Sequence, residues 1–188
     1  GYLRNAIIPD LYLTTQFKVG EQLFGIGGEL KQLRPFMVSD LNYVNENKVT
    51  SYAVSGFAKF KVDNFTAKLE GLYGANLSDL TMLGGYAVKS IDPNTHVQEY
   101  TPTKVYSIWA ELVYGKQFEL GLFAGYTKNL GTDDKIVGAI YARGSDIDNV
   151  YRIAPRFYYK VENLKVGFEV EYTSAGYGMP DQFAKVSN

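Results

Sequence analysis

The stretch Tyr151-Arg152-Ile153-Ala154-Pro155-Arg156-Phe157-Tyr158-Tyr159-Lys160-Val161 decides the fold. Tyr151, Ile153, Pro155, Phe157, Tyr159 and Val161 occupy alternate positions, with Arg152, Ala154, Arg156, Tyr158 and Lys160 between them. A period of two belongs to an extended strand, whose successive side chains point to opposite faces. Only Glu162-Asn163 separates this run from a second one, Leu164, Val166, Phe168, Val170 and Tyr172 set against Lys165, Gly167, Glu169, Glu171 and Thr173. Two alternating runs joined by two residues predict an antiparallel hairpin.

The same pattern extends back through the chain. It predicts strands near 8–19, 23–33, 50–62, 65–75, 105–114, 118–127, 150–161 and 164–174, within a single domain over 1–188. Tight turns at 20–22, 63–64, 115–117 and 162–163 alternate with long polar segments at 34–49, 76–104 and 128–149. Runs of about 10 residues are long for globular strands and match the length that crosses a bilayer when tilted. Short turns at one end and long loops at the other are the organisation of outer-membrane barrels.

Composition agrees and excludes alternatives. The chain has 188 residues, with 19 Lys+Arg against 20 Asp+Glu and a formal charge of −1, which argues against a polybasic nucleic-acid binder. It has no cysteine and a single histidine, His96, so disulfides, thiolate or His-cluster metal sites and cysteine nucleophiles are excluded. The 16 Tyr, 11 Phe and 19 Gly suit strands and tight turns. No run of about 18 apolar residues is present. Gly1-Tyr2-Leu3-Arg4 carries no leader pattern, so a mature, engineered or partial chain is expected.

The two faces differ in chemistry. The apolar face carries aromatic residues near both ends of the strands, at Tyr52 and Phe60, Phe65 and Tyr73, Tyr106 and Tyr114, Phe118 and Tyr126, and Tyr151 and Tyr159. Such pairs are expected where headgroups meet hydrocarbon, forming a membrane girdle. The other face carries Lys59, Lys61, Lys68, Glu70, Glu111, Glu119, Arg152, Arg156, Lys160, Glu169 and Glu171. These are the expected lumen charges, either guiding solutes or pairing across strands to hold the wall together. A lipocalin-like soluble barrel would invert the arrangement, and period alone does not separate the two.

The pattern resembles Gram-negative porin-type outer-membrane proteins, in particular the Bacteroidetes-type porin-like barrels. The resemblance rests on Ile8-Pro9-Asp10-Leu11 leading to Gly25-Ile26-Gly27-Gly28-Glu29-Leu30-Lys31, and on Tyr151–Phe157 followed by Val166-Gly167-Phe168-Glu169-Val170-Glu171-Tyr172. It implies an all-β, antiparallel up-and-down transmembrane barrel in the bacterial outer membrane. The implied function is a non-enzymatic channel for small polar or ionic solutes, without cofactor or metal. The lipid bilayer is the implied partner, with a homo-oligomer or other outer-membrane proteins as further associations and no nucleic acid. A non-conducting structural or adhesive barrel is the other membrane reading. The chain's last residues, Phe183-Ala184-Lys185-Val186-Ser187-Asn188, depart from the terminal aromatic strand such barrels usually have. Because the first connection is tight, both ends of the chain are expected on the outer side. The chain then reads as an internal portion of a barrel of at least about ten strands.

Smaller features carry their own expectations. If the 76–104 segment folds inward, Lys89, Asp92, His96 and Glu99 would face the constriction. Asp133-Asp134, Asp146-Ile147-Asp148 and Asp181 read as solvated acids or, less simply, as calcium ligands. The Gly25-Ile26-Gly27-Gly28 run reads as relief of crowding in the wall. Pro155 cannot donate a ladder hydrogen bond, so a bulge or a local break in pairing is expected there.

Overall fold

The computed structural model describes residues 5–187, apart from the side chain of Ile7. Gly1–Arg4, which carry no leader pattern, and Asn188 lie outside the described residues. Alternation of side chains produces one large antiparallel sheet. Its strands are β1 (Ala6–Val19), β2 (Gln22–Leu33), β3 (Val49–Val62), β4 (Phe65–Ala75), β7 (Lys104–Gly115), β8 (Phe118–Gly131), β10 (Ile147–Val161) and β11 (Leu164–Glu169). They are hydrogen-bonded in that order, and β12 (Tyr172–Tyr177) pairs with β10 alongside β11. The sheet is an open meander whose edges are β1 and the β11/β12 column. Asp63 and Glu162 take φ of 50° and 49° in the two-residue turns, the left-handed backbone of tight hairpins.

The structure corrects the sequence reading at two places. The run expected at 164–174 is two strands, β11 and β12, broken at Val170-Glu171. The cause lies across the sheet. Pro155 has no N–H, so it accepts from Val170 N at 3.0 Å but returns no bond, and the ladder stops at Arg156 on one side and Ile153 on the other. The segments expected to be long polar loops hold three more strands, β5 (Gly84–Ile91), β6 (Gln98–Pro102) and β9 (Ile140–Arg143). They form a second antiparallel sheet in the order β6-β5-β9.

The buried apolar clusters lie where these segments meet the large sheet. Val49, Tyr86, Val88 and Tyr100 form one, with Tyr141 against it. Ala53, Leu77, Leu83 and Val105 form the other, joined by Leu72, Met82, Ile147 and Val150. The second cluster seats residues 77–83, which include a short 3-10 turn at Ser78–Leu80, against the polar side of β3, β4 and β7. The 34–48 segment is tied to the second sheet by Ser39 Oγ donating to Thr95 O (2.6 Å) and by Asn45 and Asn47 donating to Gln98 O. His96 Nδ1 lies 3.0 Å from both carboxylate oxygens of Asp40. The C-terminal residues do not form a wall strand; they fold back so that Thr132 N donates to Phe183 O (2.6 Å) and Ala184 and Val186 are buried.

Candidate functional site on the sheltered face of the sheet

The large sheet shelters its polar face and exposes its apolar one. This holds over the central strands, where Val54 is 52% exposed, Ile108 53% and Leu120 61%, whereas Lys31 is 1% and Glu111 8% exposed; the edge strand β11 is exposed on both faces and β1 nearly so. A water-soluble sheet protein does the opposite. Between its aromatic ends the exposed face is Val54, Gly56 and Ala58 on β3, Ala67, Leu69 and Gly71 on β4, Ile108, Ala110 and Leu112 on β7, and Leu120, Leu122 and Ala124 on β8. It carries no charged side chain over these spans.

Register lines the aromatic residues into two rows. Tyr52 meets Tyr73 (ring centroids 6.2 Å apart), Tyr106 meets Tyr126 (6.0 Å), and Tyr151 meets Tyr172 (6.0 Å). Tyr73 is directly opposite Tyr106, and Tyr126 opposite Tyr151, so one row crosses β3, β4, β7, β8, β10 and β12. At the tight-turn end Phe24 meets Phe60 (5.3 Å), Phe65 faces Tyr114, and Phe118 meets Tyr159 (4.8 Å). On the five strands with an expected pair, the two members are eight residues apart. That is roughly 26 Å along a strand, or about 20 Å of height at barrel tilt, close to the ~25 Å apolar band of an outer-membrane wall.

The sheltered face holds a chain of ion pairs. Glu111 accepts from Lys68 Nζ (2.6 Å) and from the Arg156 guanidinium, and Arg156 also lies 3.8 Å from Glu169. Glu119 takes Lys160, with Lys165 at 3.5 Å. Arg152 pairs with Glu171 (3.0 Å), and Lys61 with Glu21 (2.5 Å). Of the expected lumen charges, Lys59 and Glu70 have no side-chain hydrogen bond and no ion pair within 4 Å among the described residues, although Lys59 acts at longer range on Glu21. The others pair with residues on nearby strands or, for Lys61 and Arg152, with Glu21 and Glu171 just outside the strands.

Large side chains on this face lie flat along it. The Phe57 ring covers Gly25, its register partner on β2, and the Tyr158 ring covers Gly167 on β11; a Cβ at either glycine would collide with the ring. Arg156 passes over Gly121 to reach Glu111, and a Cβ at Gly121 would stand 2.7 Å from its Nε. Phe123 covers Gly125 at 3.2 Å, with Trp109 beside it. Each glycine lets a bulky neighbour lie down instead of projecting. The space in front of the wall stays open as a result.

That space contains three adjoining cavities of about 440, 340 and 340 Å³. Glu70 lines all three, and Trp109, Tyr12 and Leu72 line two each. Residues 79–83 form part of the outer boundary of two of them. The start of the 76–104 segment is therefore what folds over the sheltered face. The charges expected there are engaged elsewhere. Lys89 lies 3.6 Å from Asp134, Ser90 donates to Glu99, His96 meets Asp40, and the Asp92 side chain accepts from the backbone N–H groups of Asn94 and Thr95. Those two backbone bonds hold the Asp92 carboxyl below the usual aspartate range, and the His96 contact does the same for Asp40.

Among the described residues, all but Asp146 of the acidic residues weighed as calcium ligands have partners at their carboxylates, Asp134 through Lys89. Asp133 pairs with Lys104, Asp148 with Lys128 (2.6 Å), and Asp181 accepts from Phe183 N and Lys185 N. The structure brings a different trio together, Asp10, Glu29 and Asp79, which sequence separation concealed. Its cation is already internal: the buried Lys31 ammonium pairs with Asp79 and lies 3.6 Å from Glu29.

Compared with family models, curated proteins and solved structures, the chain matches none of them.

Proposed function

We propose that this chain is wall from a porin-like outer-membrane β-barrel, with the exposed apolar face toward lipid and the sheltered charged face toward an aqueous passage for small polar or ionic solutes. The observation that carries the reading is the inversion of the sheet. An uncharged band bounded by two aromatic rows faces outward, and the ion pairs and cavities face inward. A sheet exposing this much aliphatic surface to water would be driven to aggregate. The flat-lying Phe57, Arg156 and Tyr158 supply the second support, because a small soluble barrel would use such side chains to fill its interior.

Closure of the wall belongs to the same proposal. β1 and the β11/β12 column are antiparallel edges with unpaired backbone groups. Exposed edges of this kind are not tolerated in hydrocarbon, so in the membrane both must be paired, by further strands or by each other.

Reconstitution into planar bilayers tests the reading. Discrete, voltage-independent conductance steps are expected from the complete protein. Insertion without conductance would favour a plugged structural or adhesive barrel, and solubility without detergent would favour the lipocalin-like inversion. Arg156→Glu separates guidance from strutting. It moves ion selectivity toward cations if Arg156 acts on solutes, and it chiefly destabilises the wall if its bond to Glu111 is the dominant role.

A further inference from the structure

Of the charges expected on the sheltered face, Lys59 and Glu70 are left without an ion pair among the described residues, and they share one cavity. The 340 Å³ space on the sheltered face of β3, β4 and β7 is lined by Lys59, Glu70, Trp109, Phe57 and Tyr12, with Lys68 already committed to Glu111. Register explains the arrangement. Phe57 is opposite Glu70, Glu70 is opposite Trp109, and Lys59 is opposite Lys68. Lys59 and Glu70 therefore occupy diagonal positions on neighbouring strands, about 7–8 Å apart. Among the described residues they form no ion pair with each other within 4 Å, though both line the cavity. The turn carboxylate Glu21 feels Lys59 at a distance but is engaged directly by Lys61.

A half-buried lysine and a half-buried glutamate, neither with a carboxylate or cation in direct contact, are costly unless water or a ligand serves them. The surfaces between and beside them are aromatic: the Phe57 ring lies flat over Gly25, and the Trp109 ring is 5.9 Å from Phe123. We propose that this cavity binds a zwitterionic solute bearing an apolar side chain, an amino acid or short peptide. Its ammonium meets Glu70, its carboxylate meets Lys59, and its side chain rests against Trp109 and Phe57. The inference deepens the channel reading, since it rests on the sheltered face being reached by solute, and it names the solute class that would be held on the way through.

The chain supplies its own reporter, because Trp109 is its only tryptophan. The folded protein in detergent micelles is titrated with the dipeptide alanyl-phenylalanine while Trp109 emission is recorded. A saturable change is expected. Glu70→Gln and Lys59→Met should each weaken the apparent affinity at least tenfold, with folding checked by heat-dependent gel migration. A dipeptide acetylated at its N-terminus and amidated at its C-terminus should give no saturable change with the unaltered protein, an arm that does not depend on any variant folding. An absent response in the folded protein, equal titrations for the protein and both variants, or equal binding of the blocked dipeptide would overturn the proposal. A protein that conducts without responding refutes this inference alone. One that responds without conducting refutes the channel reading and leaves the cavity's ligand class in place.

Discussion

Consider replacing Glu111 by glutamine. Glu111 is at the centre of the sheltered face, 8% exposed, and it neutralises both Lys68 and Arg156. Glutamine keeps the shape and can hold one hydrogen bond, but it removes the charge that two cations share. Removing one partner of a fully buried pair costs roughly 3–5 kcal/mol, and losing an exposed pair costs about 0.2–1 kcal/mol. The site falls between these limits. The Lys68 side chain is 42% exposed and can turn to water, whereas Arg156 is 18% exposed and keeps only Glu169 at 3.8 Å. The expected loss is about 2 kcal/mol, nearly all of it from Arg156. Lys68→Met should cost less than about 1 kcal/mol, because it leaves the Glu111–Arg156 bond intact. Urea unfolding in micelles, followed through Trp109 emission, measures both. A Glu111→Gln protein within about 0.5 kcal/mol of the unaltered one, or a Lys68→Met loss exceeding it, would refute the assignment of Arg156 as the dependent partner.

Three further outcomes follow from individual contacts. Gly25→Val should destabilise the wall by about 1–3 kcal/mol by lifting the Phe57 ring, whereas Gly71→Ala, where a Cβ meets nothing within 4 Å, should be tolerated in the same unfolding assay. Leu122→Arg, midway between the aromatic rows, should cost about 2–4 kcal/mol in lipid vesicles, and Thr127→Arg on the sheltered face should cost much less; equal costs would deny that the faces differ. Asp40 should titrate below the ordinary aspartate range and rise toward it in His96→Ala, as read by NMR. Because its folded value is the lower one, the His96–Asp40 tie stabilises above the ordinary aspartate range and is lost as pH falls through the depressed value.

What the sequence revealed follows from periodicity. Strands with one face in the open and one sheltered alternate cleanly, so the turns at Asp63-Asn64 and Glu162-Asn163 and both aromatic rows could be read directly. Alternation fails where both faces are covered. In β5, Tyr86, Ala87 and Val88 are all buried, and the neighbouring β6 and β9 are only five and four residues long, so the second sheet left no period-two trace. The break between β11 and β12 was written on the opposite strand, at Pro155, where a disruption was expected but not its effect on the partner. The candidate site was legible as a set of charges and not as a network. Pairing Glu111 with Arg156 joins residues 45 apart in sequence and depends on glycine at 121, and only register reveals it. Nor does any sequence signal connect Lys31 with Asp79, whose segment folds back over the sheet through Leu77 and Leu83.

The absence of cysteine makes the orientation of the wall directly measurable. Single cysteines placed at Thr66, Ala67, Leu69 and Glu70 of β4, in protein reconstituted into lipid vesicles, can be probed with a membrane-impermeant maleimide. Reaction at 66 and 70 with protection at 67 and 69 is the predicted alternation, and it should vanish on unfolding. Labelling at 67 and 69 with protection at 66 and 70, or equal labelling of all four, would contradict a wall that faces lipid with its aliphatic side.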